Sequence, residues 1–275
     1  MTTTVGAPER RRAANSTVAL LVLAGVAWVA TIAWITALDM SLGAGTMGLG
    51  PVEFIVMWTL MMAAMMLPAV SPLVSLYARS VRGAPGALTA FGGGYILIWA
   101  ATGVAAYGLT SLFGRLADES PGAAHAVAVG AFVVCGVYQL TPLKRWCLRH
   151  CRSPISHLLH YASYRGKTRH LRAGAHHGLV CVGCCWAMML ALLAVGMMNM
   201  PAMVVLALLI TLEKQWRHGE GLAKVIGVAA LVYALAIAID ADLAPGLIDS
   251  GDMTQTNMDE PMAADFALPI QRPAT

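Results

Sequence analysis

Apolar residues fill seven long segments of the chain, separated by short stretches rich in charge, glycine or proline. The segments cover about 17–37, 52–76, 88–113, 123–141, 176–198, 201–214 and 221–239. A helix needs about 20 apolar residues to cross the roughly 30 Å hydrocarbon core of a bilayer. Six segments reach about that length, and the segment 201–214 is the shortest. The pattern predicts an all-α, polytopic membrane bundle of about seven transmembrane helices.

The composition agrees with a membrane protein and argues against several soluble classes. Hydrophobic residues make up 58% of the 275 residues and charged residues only 12%, whereas a soluble domain carries about 25% charged residues. The sequence has no glycine-rich loop of the phosphate-binding type, and we expect no nucleic-acid partner. Six cysteines, none in the acidic tail, do not suggest a secreted disulfide scaffold.

The charges are segregated along the chain in a way that predicts its orientation. Lys and Arg mark cytoplasmic loops, and a cytoplasmic N-terminus places nearly all of them inside, including eight between Lys144 and Arg172. Acidic residues show the opposite bias. Arg10–Arg12 could instead open a signal peptide, but the following segment is too long for one and contains Trp28 and Trp34. We therefore favour an uncleaved first helix.

These features divide the chain into three regions. Residues 1–16 form a cytoplasmic N-terminal segment, and residues 17–243 form the bundle, with a basic cytoplasmic loop at 142–175. Residues 244–275 form an acidic tail on the outer side. Because the tail is rich in Asp, Pro, Met and Thr without an apolar period, it is predicted to be disordered.

The segment VCVGCCWAMMLALLAVGMMNM, from Val180 to Met200, places three cysteines and five methionines inside one apolar helix. Cys181, Cys185 and Met188 share a helix face, and Cys184 lies on an adjacent stripe. Thiolates and thioethers are soft ligands that select Cu(I) or Zn(II) over hard cations. The alternative is that small cysteines only permit tight helix packing.

The second apolar segment carries a stripe of methionines. Met57, Met61 and Met65 recur every four residues and therefore share one face. Pro68 follows and is expected to kink the helix and open a cavity. Methionine is also a flexible core filler, so the stripe is either a ligand set or packing.

The basic loop contributes a second pair of cysteines. Cys147 and Cys151 are one turn apart if that segment is helical, and both would then face the same way. Cys135, in the middle of the fourth segment, is expected to be inert packing. The loop histidines are expected to act with Lys and Arg as a lipid anchor. For His176 and His177 the sequence leaves two alternatives, a lipid anchor or a metal ligand.

The predicted topology orders the sulfur by depth. Methionines lie at the outer ends of two segments: Met197, Met198, Met200 and Met203. The Met57–Met65 stripe and Met188 lie in the middle, and the cysteines lie towards the cytoplasm, where thiols stay reduced. A gradient from thioether to thiolate is what an inward relay of Cu(I) requires.

At these residues the chain resembles a bacterial family called domain of unknown function 2182. The resemblance rests on MWTLMMAAMMLP, YQLTPLKRWCLRHCRSP and GLVCVGCCWAMMLALLAVGMMNM, followed by Glu213-Lys214, and covers about residues 17–240. The resemblance implies an integral membrane protein that is predicted to bind a metal, and it implies no particular activity. We therefore expect a multi-pass protein that is located in the bacterial plasma (inner) membrane.

The favoured function is binding of a soft metal, Cu(I) first, for transport, sensing or delivery to a cuproprotein. Zinc is the second choice, because a C-x-x-C pair on a continuous helix cannot complete tetrahedral zinc alone. One alternative is a membrane-embedded thiol or metal-dependent oxidoreductase, although redox cysteines usually lie at a helix N-terminus near water. Another is a non-catalytic subunit that associates with other subunits of a larger membrane complex.

Overall fold

The computed structural model describes residues 7–37, 46, 48–81, 84, 86–197, 199–240 and 243. This part of the chain is helical and contains no strand. Its helices are α1 (Ala7–Ala37), α2 (Pro51–Ser80), α3 (Ala87–Glu119), α4 (Pro121–Leu140), α5 (Pro142–Cys151), α6 (Pro154–Ala162), α7 (Arg169–Val195), α8 (Met200–Gln215) and α9 (Gly219–Ile239). The predicted tail at 244–275 lies outside the described residues.

Six of these helices are long and apolar enough to cross a membrane: α1, α2, α3, α4, α7 and α9. Their outward positions carry large apolar side chains, such as Val29, Leu97 and Val232, each more than half exposed. A soluble protein does not leave this much apolar surface in water. The prediction of an all-α bundle is confirmed, and six helices of the described chain, compared with about seven predicted, are long and apolar enough to cross a membrane.

Helix α8 is shorter than the other candidate spans. Its 16 residues cover about 24 Å, less than the roughly 30 Å hydrocarbon core. It nevertheless runs back along α7, because its last turn places Lys214 against Cys181 and Glu213 against Gln139 at the end of α4. The chain therefore returns through α8 to the end of the bundle where α5 and α6 lie.

The basic segment predicted as a loop at 142–175 is largely helical. Pro142 starts α5 at the first helical position, where a missing N–H is tolerated. Thr141 caps the same helix by accepting a hydrogen bond from the backbone N–H of Lys144. Helix α6 follows, and α7 begins at Arg169, several residues earlier than the apolar pattern indicated.

Helix α2 contains two internal prolines, Pro68 and Pro72. Pro72 has no backbone N–H, so the carbonyl of Pro68, one turn earlier, lacks the hydrogen bond that it would normally accept within the helix. Two side chains replace that partner: Ser71 Oγ donates to the carbonyl over 2.9 Å, and Gln215 Nε2 of α8 donates over 2.8 Å. The proline therefore links α2 to the end of α8.

Helices α3 and α7 cross backbone to backbone at a pair of glycines. A Cβ added at Gly174 would lie 1.9 Å from the carbonyl oxygen of Phe91, and one added at Gly94 would lie 2.1 Å from that of Leu171. Only glycine allows this approach. Gly92 and Gly93 have no such neighbours, so within the run of three glycines only Gly94 serves the helix contact.

Replacement of Gly174 by alanine is therefore expected to separate α3 from α7 and destabilise the bundle. The expected loss is about 1–3 kcal/mol or more, as for other overpacked cores. Gly93→Ala is the control, because Gly93 lies in α3 and faces open space. This variant should be neutral or stabilising, since alanine is more favourable than glycine in a helix by about 1 kcal/mol. Thermal unfolding in detergent, followed by circular dichroism, measures both. Equal melting temperatures for the two variants would contradict the close crossing.

Candidate metal centre

Helix α7 carries its sulfur on two different faces. Cys181, Cys185 and Met188 belong to the main buried cluster of the bundle, and each is only 1% exposed. Cys184 faces away from that cluster, into a smaller one that contains Cys147. The helical spacing in the sequence predicted this division between Cys184 and the other residues.

The methionine stripe of α2 reaches the same main cluster. Met57, Met61 and Met65 are completely buried in it together with Met188. The backbones of α2 and α7 are not closely packed, and α3 and α8 each contact both helices. The sulfur stripes of α2 and α7 therefore belong to one buried cluster.

Cys181 has a polar environment that is unusual inside an apolar helix. Lys214 Nζ of α8 donates to its Sγ over 2.8 Å, and the hydroxyl of Tyr95 in α3 lies 3.2 Å from the same sulfur. Cys185 Sγ donates to the carbonyl of Cys181 over 3.1 Å. An ammonium group in such surroundings needs a counter-charge. A thiolate at Cys181 supplies one.

The second cluster joins α5 to the other face of α7. Cys147 Sγ lies 3.6 Å from where a Cβ on Gly183 would sit, which is an ordinary van der Waals distance, so α5 packs against this face of α7. A hydrogen bond to the Cys184 sulfur, followed by burial, holds the pKa of Cys151 well above its usual range. Burial raises the pKa of the Cys147 thiol. Both thiols are thus protonated at neutral pH.

A buried polar network holds these elements together. Lys144 Nζ lies 2.7 Å from Glu213 Oε2 and donates to the carbonyl of Cys184 over 2.8 Å. Gln139 Nε2 donates to the other oxygen of Glu213 over 2.9 Å. All three side chains are at most 1% exposed. Sequence reasoning missed Lys144, because a lysine just after an apolar segment resembles an ordinary basic anchor.

A cavity of about 320 Å³ lies between α2, α7 and α8, with the end of α5 at its edge. Its polar lining comes from Cys151, Arg152, His177, Cys181, Lys214 and Gln215. Pro72 and its neighbours in α2 form the apolar wall. Two of the candidate sulfur ligands, Cys151 and Cys181, therefore border one volume.

The described part of the chain contains no group of three or more Cys, His, Asp or Glu side chains arranged to hold a metal. It also contains no disulfide, and all six cysteines are free. The donors near the cavity are thiols, a chemistry that fits Cu(I) better than hard cations. Cu(I) can be held by two soft ligands, so the arrangement suits a transferable ion better than tetrahedral zinc.

Comparison with known families identifies the chain at this point. The family model PpoB2, described as a copper chaperone, matches residues 55–237. The chain belongs to this family of copper chaperones. The match covers about two thirds of the chain and includes every sulfur residue singled out above. It does not confirm the domain of unknown function 2182 label, but both families concern metal handling. No curated protein and no solved structure matches the chain.

The buried network yields a stability prediction for this protein. Lys144→Met leaves the Glu213 carboxylate buried without its cation and should destabilise the bundle by about 3–5 kcal/mol. The double variant with Glu213→Met removes both charges and should recover part of that loss. The melting temperatures of the single and double variants in detergent compare their stabilities. Glu220→Gln, which removes an exposed ion pair with Arg149, is the control and should change little.

A double variant no more stable than Lys144→Met alone would contradict the pairing.

Proposed function

We propose that this protein is a membrane-embedded chaperone that holds Cu(I) on sulfur side chains of α5 and α7 and delivers it to a cuproprotein. Copper is the cargo in this proposal, not a permanent cofactor. The copper chaperone family supports the metal, and six helices able to span a membrane support the location. The binding residues, the direction of transfer and the bacterial inner membrane remain parts of the proposal.

The contact between Lys214 and Cys181 carries the argument. Two thiolates bound to Cu(I) form a complex of charge −1, which is unfavourable where burial removes water. An ammonium group 2.8 Å from one of the sulfurs neutralises that charge. Cys151 lines the same cavity and provides the second thiolate when its proton is released on metal binding. We infer that Cu(I) is first held between Cys181 and Cys151.

The cluster on the other face of α7 offers a place for the ion to move next. Cys151 interacts with the Cys184 sulfur, and Cys184 packs with Cys147. Because the thiols of Cys147 and Cys151 are protonated at neutral pH, binding of the metal there must release protons. The need to release protons lowers the affinity of these thiols for Cu(I), which favours exchange of the ion between neighbouring thiols.

The buried methionines provide weaker soft ligands on the same side of α7 as Cys181. Met57, Met61, Met65 and Met188 share one cluster with it. Thioethers are neutral, so each can contact Cu(I) without adding charge in an apolar interior. We propose that this cluster accepts the ion on its way to or from the cysteines. Zinc remains the second choice because the described residues assemble no tetrahedral set of ligands.

A second candidate function is thiol–disulfide exchange. The same Lys214 that would neutralise a copper complex would also activate a Cys181 thiolate as a nucleophile. Its partner would be Cys184 in the C-x-x-C pair. Copper handling is preferred because the family match concerns copper. A subunit without a metal or redox role is the third possibility and predicts neither copper nor a disulfide.

Removal of the central sulfur is the test of the copper proposal. Cys181→Ser keeps the side-chain size but replaces a soft sulfur by a hard oxygen, and it should lower bound copper to less than about half in reductant-treated protein. Cys135→Ser is the matched control, because Cys135 is equally buried but lies away from Lys214 and the cavity. Elemental analysis of the full chain purified in detergent gives the copper content.

Copper contents that are equal in wild type, Cys181→Ser and Cys135→Ser would overturn the proposal. Mass spectrometry of alkylated protein after mild oxidation then separates the alternatives. A reversible disulfide between Cys181 and Cys184 would support the oxidoreductase. Absence of both copper and a disulfide would support the structural subunit.

A further inference from the structure

A second polar cavity, of about 250 Å³, lies at the end of the bundle that carries α6. Its walls come from the end of α2, from α6 and from the first turn of α7, and its polar lining includes Tyr77, Tyr164, Arg169 and His170. It shares no lining residue with the cavity beside Cys181. This space is therefore separate from the candidate copper site.

Hydrogen bonds hold the Arg169 guanidinium at the wall of this cavity. Its Nε donates to His170 Nε2 over 3.0 Å, so that nitrogen is an acceptor and the imidazole is neutral. The other ring nitrogen, Nδ1, lies 2.6 Å from the Tyr77 hydroxyl. The Arg172 guanidinium lies 5.1 Å from the centre of the Tyr164 ring, which lines the same cavity. Two guanidinium groups therefore lie at or beside one small space.

The chain around this cavity is poor in negative charge. Its sequence has no Asp or Glu in residues 54–117 or 120–212. The next two acidic residues, Glu213 and Glu220, form ion pairs with α5. The cavity also lies at the first turn of α7, whose N-cap residue Thr168 makes no side-chain hydrogen bond to the helix, so the positive end of the helix dipole adds to the charge. The cavity therefore favours an anion.

An apolar groove approaches the cavity along the same face of α2. The groove has a volume of about 880 Å³ and lies between α1, α2 and α3. Leu60, Leu67 and Val74 line the groove, and Val81 lines the polar cavity. Seven residues are close to two helical turns, so these positions form one stripe that leads from the groove to the cavity. Gly92 of α3 also lines the groove, and a Cβ added there would meet open space.

The groove is long enough for a lipid chain. Its lining on α2 extends from Ile55 to Val74, which is about 28 Å of helix. A fatty acyl chain that spans one leaflet needs only roughly 15 Å, half of the hydrocarbon core. An apolar groove that leads to a cationic space matches the two ends of an anionic lipid.

We propose that the groove and the cavity form one binding site for an anionic phospholipid, with an acyl chain in the groove and the phosphate beside Arg169. Arginine is well suited to phosphate, because its N–H donors can bind two oxygens at once. A zwitterionic headgroup would bring its own cation to a space already bordered by two guanidinium groups. A partner helix could fill the groove, but it would leave the cationic cavity without an anion. The inference does not depend on copper binding.

Native mass spectrometry of the full chain, purified and delipidated in detergent, tests the site. Phosphatidylglycerol and phosphatidylcholine with identical acyl chains are titrated separately. Arg169→Gln removes the charge at the cavity, and Arg165→Gln removes an equal charge from an exposed position that does not line it. Gly92→Leu fills part of the groove. Gly108→Leu is its control, because Gly108 lies in the same helix, faces open space and does not line the groove.

The wild-type protein should bind one phosphatidylglycerol in preference to phosphatidylcholine. Arg169→Gln should bind phosphatidylglycerol about fivefold more weakly, the change expected for one basic residue that faces an anionic lipid, whereas Arg165→Gln should bind as wild type does. Gly92→Leu should also weaken binding, and Gly108→Leu should not. Excess inorganic phosphate should leave the lipid bound, because phosphate alone lacks the acyl chain.

Equal weakening in Arg165→Gln and Arg169→Gln would overturn the proposal, because it would show only a general attraction of the lipid to a basic surface. Equal affinities of the wild type for the two lipids would also contradict it, as would displacement by inorganic phosphate, which would indicate a free anion as the ligand. A wild type that binds neither lipid would assign the groove to a partner helix. If Arg169→Gln does not fold, the comparison of Gly92→Leu with Gly108→Leu still decides.

Discussion

The pairing of Lys144 with Glu213 is the interaction on which the arrangement around α7 depends. Both side chains are buried in an apolar bundle, where neither charge is tolerated alone. The same ammonium donates to the carbonyl of Cys184, and the Tyr138 hydroxyl donates to the carbonyl of Gly183. Two neighbouring carbonyls of α7 are therefore held from α4 and α5. This attachment fixes the rotation of α7 and so the direction in which each cysteine points.

Adjacent residues of α8 serve the two faces of α7. Glu213 engages the ion pair behind Cys184, and Lys214 contacts the Cys181 sulfur. The last turn of this short helix therefore couples the structural charge pair to the candidate copper site. To make both contacts, α8 needs to extend only as far as Cys181, and its 16 residues are long enough for this. A site divided between two faces of one helix also suits a chaperone, which must release its ion as well as bind it.

Much of the fold and part of the site could be predicted from the sequence. The apolar periods located the long helices, and helical spacing separated Cys184 from Cys181 and Cys185, because both signals are local. The partners of Lys144 and Lys214 could not be predicted, since they depend on how α5 and α8 pack against α7. Charge rules count Lys144 as a surface anchor. Likewise, His177 stands in the sequence among other basic-loop histidines, and only the packing of α7 shows that it lines the cavity.

The central claim is that Lys214 stabilises copper-bound thiolate at Cys181, and the Cu(I) affinity of Lys214 variants tests it most directly. Competition with bathocuproine disulfonate should show Lys214→Met binding Cu(I) at least about tenfold more weakly, since a charge contact in low dielectric is worth more than about 1.4 kcal/mol. Lys214→Arg keeps the charge and should bind nearly as wild type does. Wild-type affinity in a folded Lys214→Met protein would contradict the account.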